Sequence, residues 1–489
     1  MDINVKHVQN SSTAAGILWS SIERFSVQGV QLLITLVLAR ILSPSDYGLI
    51  AMLSVFIAVS QIIIDSGFAN ALIRKSDRSD VDFATVFYFN LVTSVIIYLL
   101  LIICAPIVEE FYTINGLTLV MRIYSVTIIL NAFGSVHNIW HTIKLDFRTI
   151  AKSSLLGTIL GGILGIVLAV NGFGVWALVY SSIATVCVRS VSLWFITPWH
   201  PSFSFSLLSL RTMFPFGSRL LLAGLLDTVY RNLYQLVIGR KFTDSDLGFY
   251  SRAEELAKFP SSNLTGIIQR VTYPVLCRII DDKKNLLVAF KNYLGLTAYI
   301  IFPLMMGLAA VAKPLIIVVF GLKWFDSIIL LQLLCFSMMW YPIHALNLNI
   351  MMAKGRSDLF FRVEMIKKAV GVCVLLITMN YSVVYMAVGL VISSMIALII
   401  NTNYAKKELG FGLLLQIRVL LPVLFLSSLS SLCAYLVQVV IKKPVGALAC
   451  SIVIGILVYL FGSIILKNRE YLVIKQIVLR LLKTKTKNP

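Results

Sequence analysis

The sequence predicts an all-α membrane protein of about fourteen transmembrane helices, arranged as two parallel six-helix bundles plus two C-terminal helices. Three observations carry that expectation. Hydrophobic residues fill 58% of the 489 positions and charged residues only 13%, too few to clothe a water-facing surface. Apolar runs of about 20 residues recur along the whole chain, the length a helix needs to cross hydrocarbon. A loop motif near residue 40 also returns 200 residues later. Lipid offers no partner to backbone N–H and C=O groups, so a spanning segment is either a helix or part of a closed barrel. The runs are continuous rather than alternating, which excludes the barrel.

Taken in order, the runs fall at 14–42, 47–72, 83–110, 118–142, 150–171, 173–196, 214–239, 255–279, 290–312, 326–353, 360–380, 383–405, 413–440 and 445–466. The first follows a polar stretch and lacks the short apolar core and small-residue cleavage site of a secretory signal, so it reads as an uncleaved helix. No connection is long enough to hold a folded soluble domain. The expected organisation is an N-terminal bundle at 1–196, a second bundle at 197–405, two additional spans within 406–466 and a basic cytoplasmic tail at 467–489. Seven cysteines, Cys104, Cys187, Cys277, Cys335, Cys373, Cys433 and Cys450, stand singly in apolar runs. That spacing supports neither a zinc site nor a disulfide framework, and they read as small packing residues.

The net charge of +20 would suggest nucleic acid in a soluble protein. Here the basic residues sit between apolar runs, which points to topology and contact with membrane lipids instead. One set of alternate loops carries Arg74, Lys75, Arg78, Lys144, Arg148, Lys152, Arg211, Arg278, Lys283, Lys284, Lys354, Arg356, Lys406 and Lys407. The other carries Arg40, Arg240, Lys241, Arg252, Lys313, Lys323, Lys442 and Lys443, diluted by Asp46, Glu109, Glu110, Asp244 and Asp246. The richer set is expected in the cytoplasm, and with an even number of helices both termini join it.

The repeat is ungapped. Residues 36–50 read LVLARILSPSDYGLI and residues 236–250 read LVIGRKFTDSDLGFY. Arg40 aligns with Arg240, Ser45 with Ser245, Asp46 with Asp246 and Gly48 with Gly248. Chance likeness between apolar segments supplies Leu and Val matches, but less readily an R…SD-x-G spacing in a loop. An even number of spans separates the copies, so they share one orientation, as in transporters whose halves rock about a central cavity.

Polar residues inside a span are costly unless they face protein or a water-filled cavity. In the first helix Ser20, Arg24, Gln28, Gln31 and Thr35 fall within an arc of about 80° at helical pitch, with Glu23 beside them. In the seventh, Arg219, Asp227, Tyr230, Arg231 and Tyr234 share a face of roughly 120°. The fourth carries Asn131, Ser135, Asn138 and Thr142, and the tenth Ser337, Tyr341, His344 and Asn347. Arg270 and Asp65 are single charges in the eighth and second. These stripes either line a cavity or glue helices together, and Asp227 with Arg231 can also pair at i, i+4. The candidate substrate-binding set is Arg24, Gln28, Gln31, Asn131, Asn138, Arg219, Tyr230, Arg231, Tyr234, Arg270 and His344, with Glu23, Asp65 and Asp227 as ion-coupling candidates. His137 and His141 have the i, i+4 spacing of a metal pair but lack a third ligand and a general base. No metal, catalytic residue or nucleic-acid partner is expected. Arginine in a partly dehydrated cavity suits phosphate, which it grips with a planar fork. A cation exporter would instead want carboxylates and aromatic rings without competing guanidiniums.

At these residues the chain resembles the Wzx-type polysaccharide flippases of the MATE/MOP transporter superfamily. The likeness rests on LARILSPSDYGLIAM (38–52), DSGFANALI (65–73), IKLDFRTIA (143–151) and GFGVWALV (172–179) in the first half. The second half adds FGSRLLLAGLLDTVYRNLYQLVIG (216–239), LGFYSRAEELAKFPSSNLTGIIQRVTYPVL (247–276) and PLMMGLAAVAKPLIIVVFGLKW (303–324). The resemblance implies export of undecaprenyl-diphosphate-linked oligosaccharide across the bacterial inner membrane by alternating access, for surface polysaccharide synthesis. It implies no cofactor beyond H⁺ or Na⁺ as coupling ion, and a polymerase and chain-length proteins as candidate partners. Two rival readings are a multidrug exporter of the same superfamily and a polytopic O-antigen ligase or polymerase. The first would want a carboxylate-dominated cavity, and the second a large periplasmic loop, which no connection here provides.

Overall fold

A computed structural model describes residues 26–65 and 67–476, apart from the side chains of Phe216 and Arg219. Among the described residues the regular elements are helical. They run α1 (Ser26–Ile41), α2 (Pro44–Asp65), α3 (Phe68–Arg74), α4 (Asp80–Tyr112), α5 (Leu117–Tyr124), α6 (Val126–Ile143), α7 (Phe147–Val170), α8 (Val175–Ile196) and α9 (Leu207–Lys241). They continue with α10 (Asp244–Arg278), α11 (Lys283–Ala310), α12 (Ala312–Val319), α13 (Ser327–Met338), α14 (Tyr341–Ala353), α15 (Ser357–Thr378), α16 (Val383–Leu409), α17 (Leu413–Val440) and α18 (Pro444–Ile465). By length and composition ten spans can cross a membrane when α2 and α3, α5 and α6, and α13 and α14 are each taken as one. Helix α1 adds a shorter apolar one. Helices α9, α10 and α15 occupy the seventh, eighth and eleventh expected spans and are more charged. The molecule is a multi-pass, all-helical membrane protein.

Span boundaries follow local chemistry. The second span turns left-handed at Gly67, with φ 70°, and only glycine fits there because a side chain would collide with the backbone of Gly217 on α9. Helix α4 opens on a capping box in which Ser79 and Asp82 each bond the other's backbone N–H, satisfying donors the first turn leaves open. Helix α10 begins at Asp244, not near residue 255. The charged stretch that hydropathy assigns to a loop is the opening of a helix, nucleated by a cap described below.

The chain divides into two compact units, Met1–Gly248 and Phe249–Pro489. In the first, α7 and α8 approach closely along Gly157, Gly161 and Gly165. A Cβ at Gly161 would lie 2.7 Å from the Ser181 carbonyl and one at Gly157 2.5 Å from the Thr185 carbonyl. Small residues at this four-residue spacing let backbones meet where lipid supplies no hydrophobic drive. Helix α9 packs on α2, α3 and α4. One end of the unit carries an aromatic core in which Phe68, Phe83, Phe87 and Trp199 are buried and Phe133 stacks on Trp194 at 4.2 Å. Its loops are the basic ones, around Lys75, Lys144 and Trp199. The loops of the other set meet at the opposite end, where a Cβ at Gly174 would sit 3.2 Å from Asp46 and one at Gly239 2.9 Å from Tyr112.

In the second unit α17 packs against α11 and α18, so the two helices beyond the repeat belong to this body. Tyr299 donates to Ser463 Oγ at 2.8 Å, and Tyr459 donates to the Tyr299 carbonyl at 2.8 Å. Asn347 of α14 and Gln416 of α17 exchange hydrogen bonds at 3.1 and 2.8 Å, a reciprocal amide pair in which each buried side chain satisfies the other.

Candidate functional site

The aspartates and glycines of the repeated loop motif have a structural explanation. Helices α1 and α9 end at Ile41 and Lys241, and α2 and α10 restart at Pro44 and Asp244, keeping the offset of the sequence. Ser43 donates from N and Oγ to Asp46 Oδ2 at 2.9 and 2.6 Å, and Asp46 N donates back to Ser43 Oγ at 3.2 Å. Thr243 and Asp246 make the same three bonds at 3.1, 2.7 and 3.1 Å. The Ser/Thr and Asp of the motif are thus two copies of one capping box.

The glycines do something else. A Cβ on Gly48 would stand 1.8 Å from the Asp244 carbonyl oxygen, and one on Gly248 1.9 Å from the Pro44 carbonyl oxygen. Residue 44 is the repeat equivalent of 244, and 48 of 248. The first turns of α2 and α10 therefore touch reciprocally, each glycine against the other copy's carbonyl. Ser45 adds a hydrogen bond to the Asp244 carboxylate.

The expected cavity residues distribute as follows. Glu23, Arg24 and the Arg219 side chain lie outside the described residues. On α1, Gln28 is half-buried and Gln31 exposed, while Thr35 at the end of that stripe is buried. Asp65 closes α2 and accepts from Gln61 Nε2 at 3.2 Å. On α6, Asn131 and Asn138 are half-buried. Ser135 between them accepts from the buried Asn90 at 3.3 Å. Arg189 of α8 donates from Nη2 to Asn138 Oδ1 at 3.4 Å. The stripe thus joins α4, α6 and α8 through polar contacts and brings a guanidinium to Asn138. Sequence reading passed over Arg189, although an arginine well inside an apolar span is itself the signal.

On α9, Arg231 Nε donates to Asp227 Oδ2 at 2.6 Å, with the two side chains 60% and 41% exposed. The i, i+4 pair forms and still presents charge at its helix surface. Tyr230 is half-buried and Tyr234 buried. In the second unit Arg270 of α10 is exposed. Arg252 pairs with Glu255 on the same helix at 2.6 Å. His344 of α14 meets Ser394 of α16 at 3.3 Å.

His141 bridges Asp146 at 3.0 Å and Thr197 at 3.1 Å, tying the α6–α7 turn to the end of α8. Burial works to raise the Asp146 carboxyl, but hydrogen bonds from Thr149 and His141 outweigh it and hold the group below the ordinary carboxylate range. His137 is fully buried among Phe87, Trp194 and Trp199. Among the described residues no group of three or more His, Cys, Asp or Glu is placed to hold a metal ion.

Comparison with known proteins agrees with this architecture. The chain is 25% identical over 350 residues to the teichuronic acid biosynthesis protein TuaB of Bacillus subtilis (strain 168), covering 71% of this chain and 72% of that one. It is 26% identical over 396 residues to the lipopolysaccharide biosynthesis protein WzxC of Escherichia coli (strain K12), covering 80% and 79%. Its fold is similar to that of the lipid II flippase MurJ in an inward closed conformation. There the TM-score is 0.75 at 16% identity, over 92% of this chain and 98% of that one. A family model described as polysaccharide biosynthesis protein matches residues 37–329, and the chain belongs to that family.

Proposed function

We propose that this protein is a flippase that carries an undecaprenyl-diphosphate-linked oligosaccharide across the inner membrane for surface polysaccharide synthesis. The observation that carries the reading is charge held at membrane depth by helices of a MurJ-like fold: Arg189 against Asn138, and Arg231 beside Asp227. Intramembrane ionisable groups are costly and mark a substrate or ion path. Arginine suits a diphosphate, to which it offers two parallel donors. Family membership and relatives named for teichuronic acid and lipopolysaccharide biosynthesis support an anionic, glycan-bearing cargo.

In this mechanism the diphosphate enters from the cytoplasmic leaflet and the glycan occupies the polar path. The isoprenoid tail stays in the bilayer, and the two repeats rock to open the far side. Both termini lie in the cytoplasm. An H⁺ or Na⁺ gradient supplies the drive, with Glu23, Asp65 and Asp227 as candidate carriers, and the pathway's polymerase and chain-length proteins receive the product.

The test is a chromosomal deletion with complementation. Deletion is expected to abolish the surface polysaccharide and to accumulate lipid-linked repeat units that a membrane-impermeant glycan-oxidising reagent does not reach. Undiminished surface polysaccharide, or heightened sensitivity to cationic drugs with normal polysaccharide, would overturn the reading in favour of another cargo.

A further inference from the structure

Helix α15 cannot span a membrane on its apolar residues alone. Only its second half, residues 369–378, is free of charge. Ten residues rise about 15 Å, half of a hydrocarbon core of about 30 Å. The first half, with Arg362, Glu364, Lys367 and Lys368, must therefore sit at membrane depth. Lys367 lies half-way along the 22-residue helix.

Where those charges face is settled by burial. Val363, Gly371 and Leu375 are the buried residues of α15, and Glu364 and Lys367 fall in the same arc of about 120°. Phe361, Met365, Ile366, Leu376 and Ile377 are exposed on the other side. Glu364 and Lys367 form an ion pair on the inner face, their side chains 28% and 14% exposed.

Helices α14 and α16 pack against α15. His344 on α14 lies nine residues from that helix's end at Ala353, about 14 Å, and so at the depth of Lys367. The charge of Lys367 acts on the His344 ring. Ser394 Oγ spends its proton on the Ser337 carbonyl at 3.0 Å, so it accepts from His344 Nε2 at 3.3 Å. His344 Nδ1 then carries the lone pair, and it is buried without a hydrogen-bond partner. Of the other titratable groups on these helices, Tyr341 and Tyr385 are exposed. Lys354 pairs with Glu408 at 2.7 Å, and Tyr404, Lys406 and Lys407 lie in the last turns of α16.

We propose that the Glu364–Lys367 pair of α15, faced by His344 of α14, is the proton-binding site to which transport is coupled, an assignment that rests on the flippase reading above. A proton entering this site bonds to the Glu364 carboxylate and breaks its ion pair with Lys367. The ammonium is left in the interior without its counter-charge, which favours a changed packing of α15 against α14 and α16. A hard metal cation needs several oxygen ligands, which a single carboxylate already shared with an ammonium does not supply, so the site selects H⁺ over Na⁺.

Infrared difference spectroscopy of the purified full-length protein in lipid nanodiscs reads the protonation directly. Acidification is expected to produce a protonated-carboxyl C=O band that is missing in Glu364→Gln, shifted in frequency in Glu364→Asp, and indifferent to replacing Na⁺ by K⁺. In cells, Glu364→Gln should export at least tenfold less polysaccharide at equal membrane abundance, with partial recovery in Glu364→Asp. A band unchanged in Glu364→Gln, a band displaced by Na⁺, or full export by Glu364→Gln would overturn the proposal. Should Glu364→Gln fall in abundance, Glu364→Asp carries the test, because it keeps the pair on a shorter arm, and an unshifted band there overturns it. Normal surface polysaccharide in the deletion strain would sink the flippase reading while leaving the spectroscopic assignment standing.

Discussion

Gly48 and Gly248 can be no other residue while the first turns of α2 and α10 stay in contact. The atom each would meet is a backbone carbonyl oxygen, at 1.8 and 1.9 Å, and no rotamer change moves a backbone. Alanine at either position is expected to part the two helix ends and to cost about 1–3 kcal/mol, as overpacking does. The contact can be read with cysteines at Ser45 and Asp244, whose side chains bond one another. Mild oxidation should link them efficiently with Gly48 in place and poorly in Gly48→Ala. Equal yields would show that the approach is not what the glycine serves. The SD-x-G spacing was visible in the sequence, and its capping chemistry could be read there, because a cap is made within four residues. The reciprocal glycine contact could not, because it joins atoms about 200 positions apart in the chain.

Among the elements, the pairing of α7 with α8 depends on the smallest side chains. Gly157, Gly161 and Gly165 recur every fourth residue along one face of α7 and receive Thr185 and Ser181 of α8. Leucine at Gly161 would have to displace the Ser181 carbonyl and the Thr185 hydroxyl, 2.7 and 2.0 Å from its Cβ. The helices would separate, because their close approach rests on these small residues. The Gly161→Leu protein should therefore fall severalfold in membrane abundance, measured by quantitative blotting, whereas Leu at the exposed Val167 should not. Normal abundance of Gly161→Leu would show that the stripe is not needed for packing. The identity of the apolar elements was legible, since an apolar run of the right length has one solution in lipid. Helix α10 was misjudged by about three turns because hydropathy treats a charged helix as a loop.

At the scale of the whole molecule, alternate loops gather at opposite ends of the first unit. Lys75 pairs with Asp82 at one end, beside the aromatic core that holds Trp199. Asp46 and Tyr112 lie at the other, against Gly174 and Gly239. Lys/Arg counts assign the first of these ends to the cytoplasm. A reporter active only in the periplasm should therefore be silent when fused after residue 489 and active when placed in the loop at Lys442. The reverse result would invert the topology and, with it, the direction of the proposed transport.

What the sequence by itself determined is the class of the fold, the order of the apolar spans, the repeated loop motif and the family. Each depends on local chemistry, on the cost of unpaired backbone in lipid, or on motifs short enough to read along the chain. Only the tertiary structure decided which polar residues meet. It sent Arg189 to Asn138, closed Asn347 on Gln416, and set the two motif glycines against each other's carbonyls. It also turned Glu364 and Lys367 inward on α15. Helical periodicity says that two residues share a face, but the partner of that face is chosen by packing between helices distant in sequence.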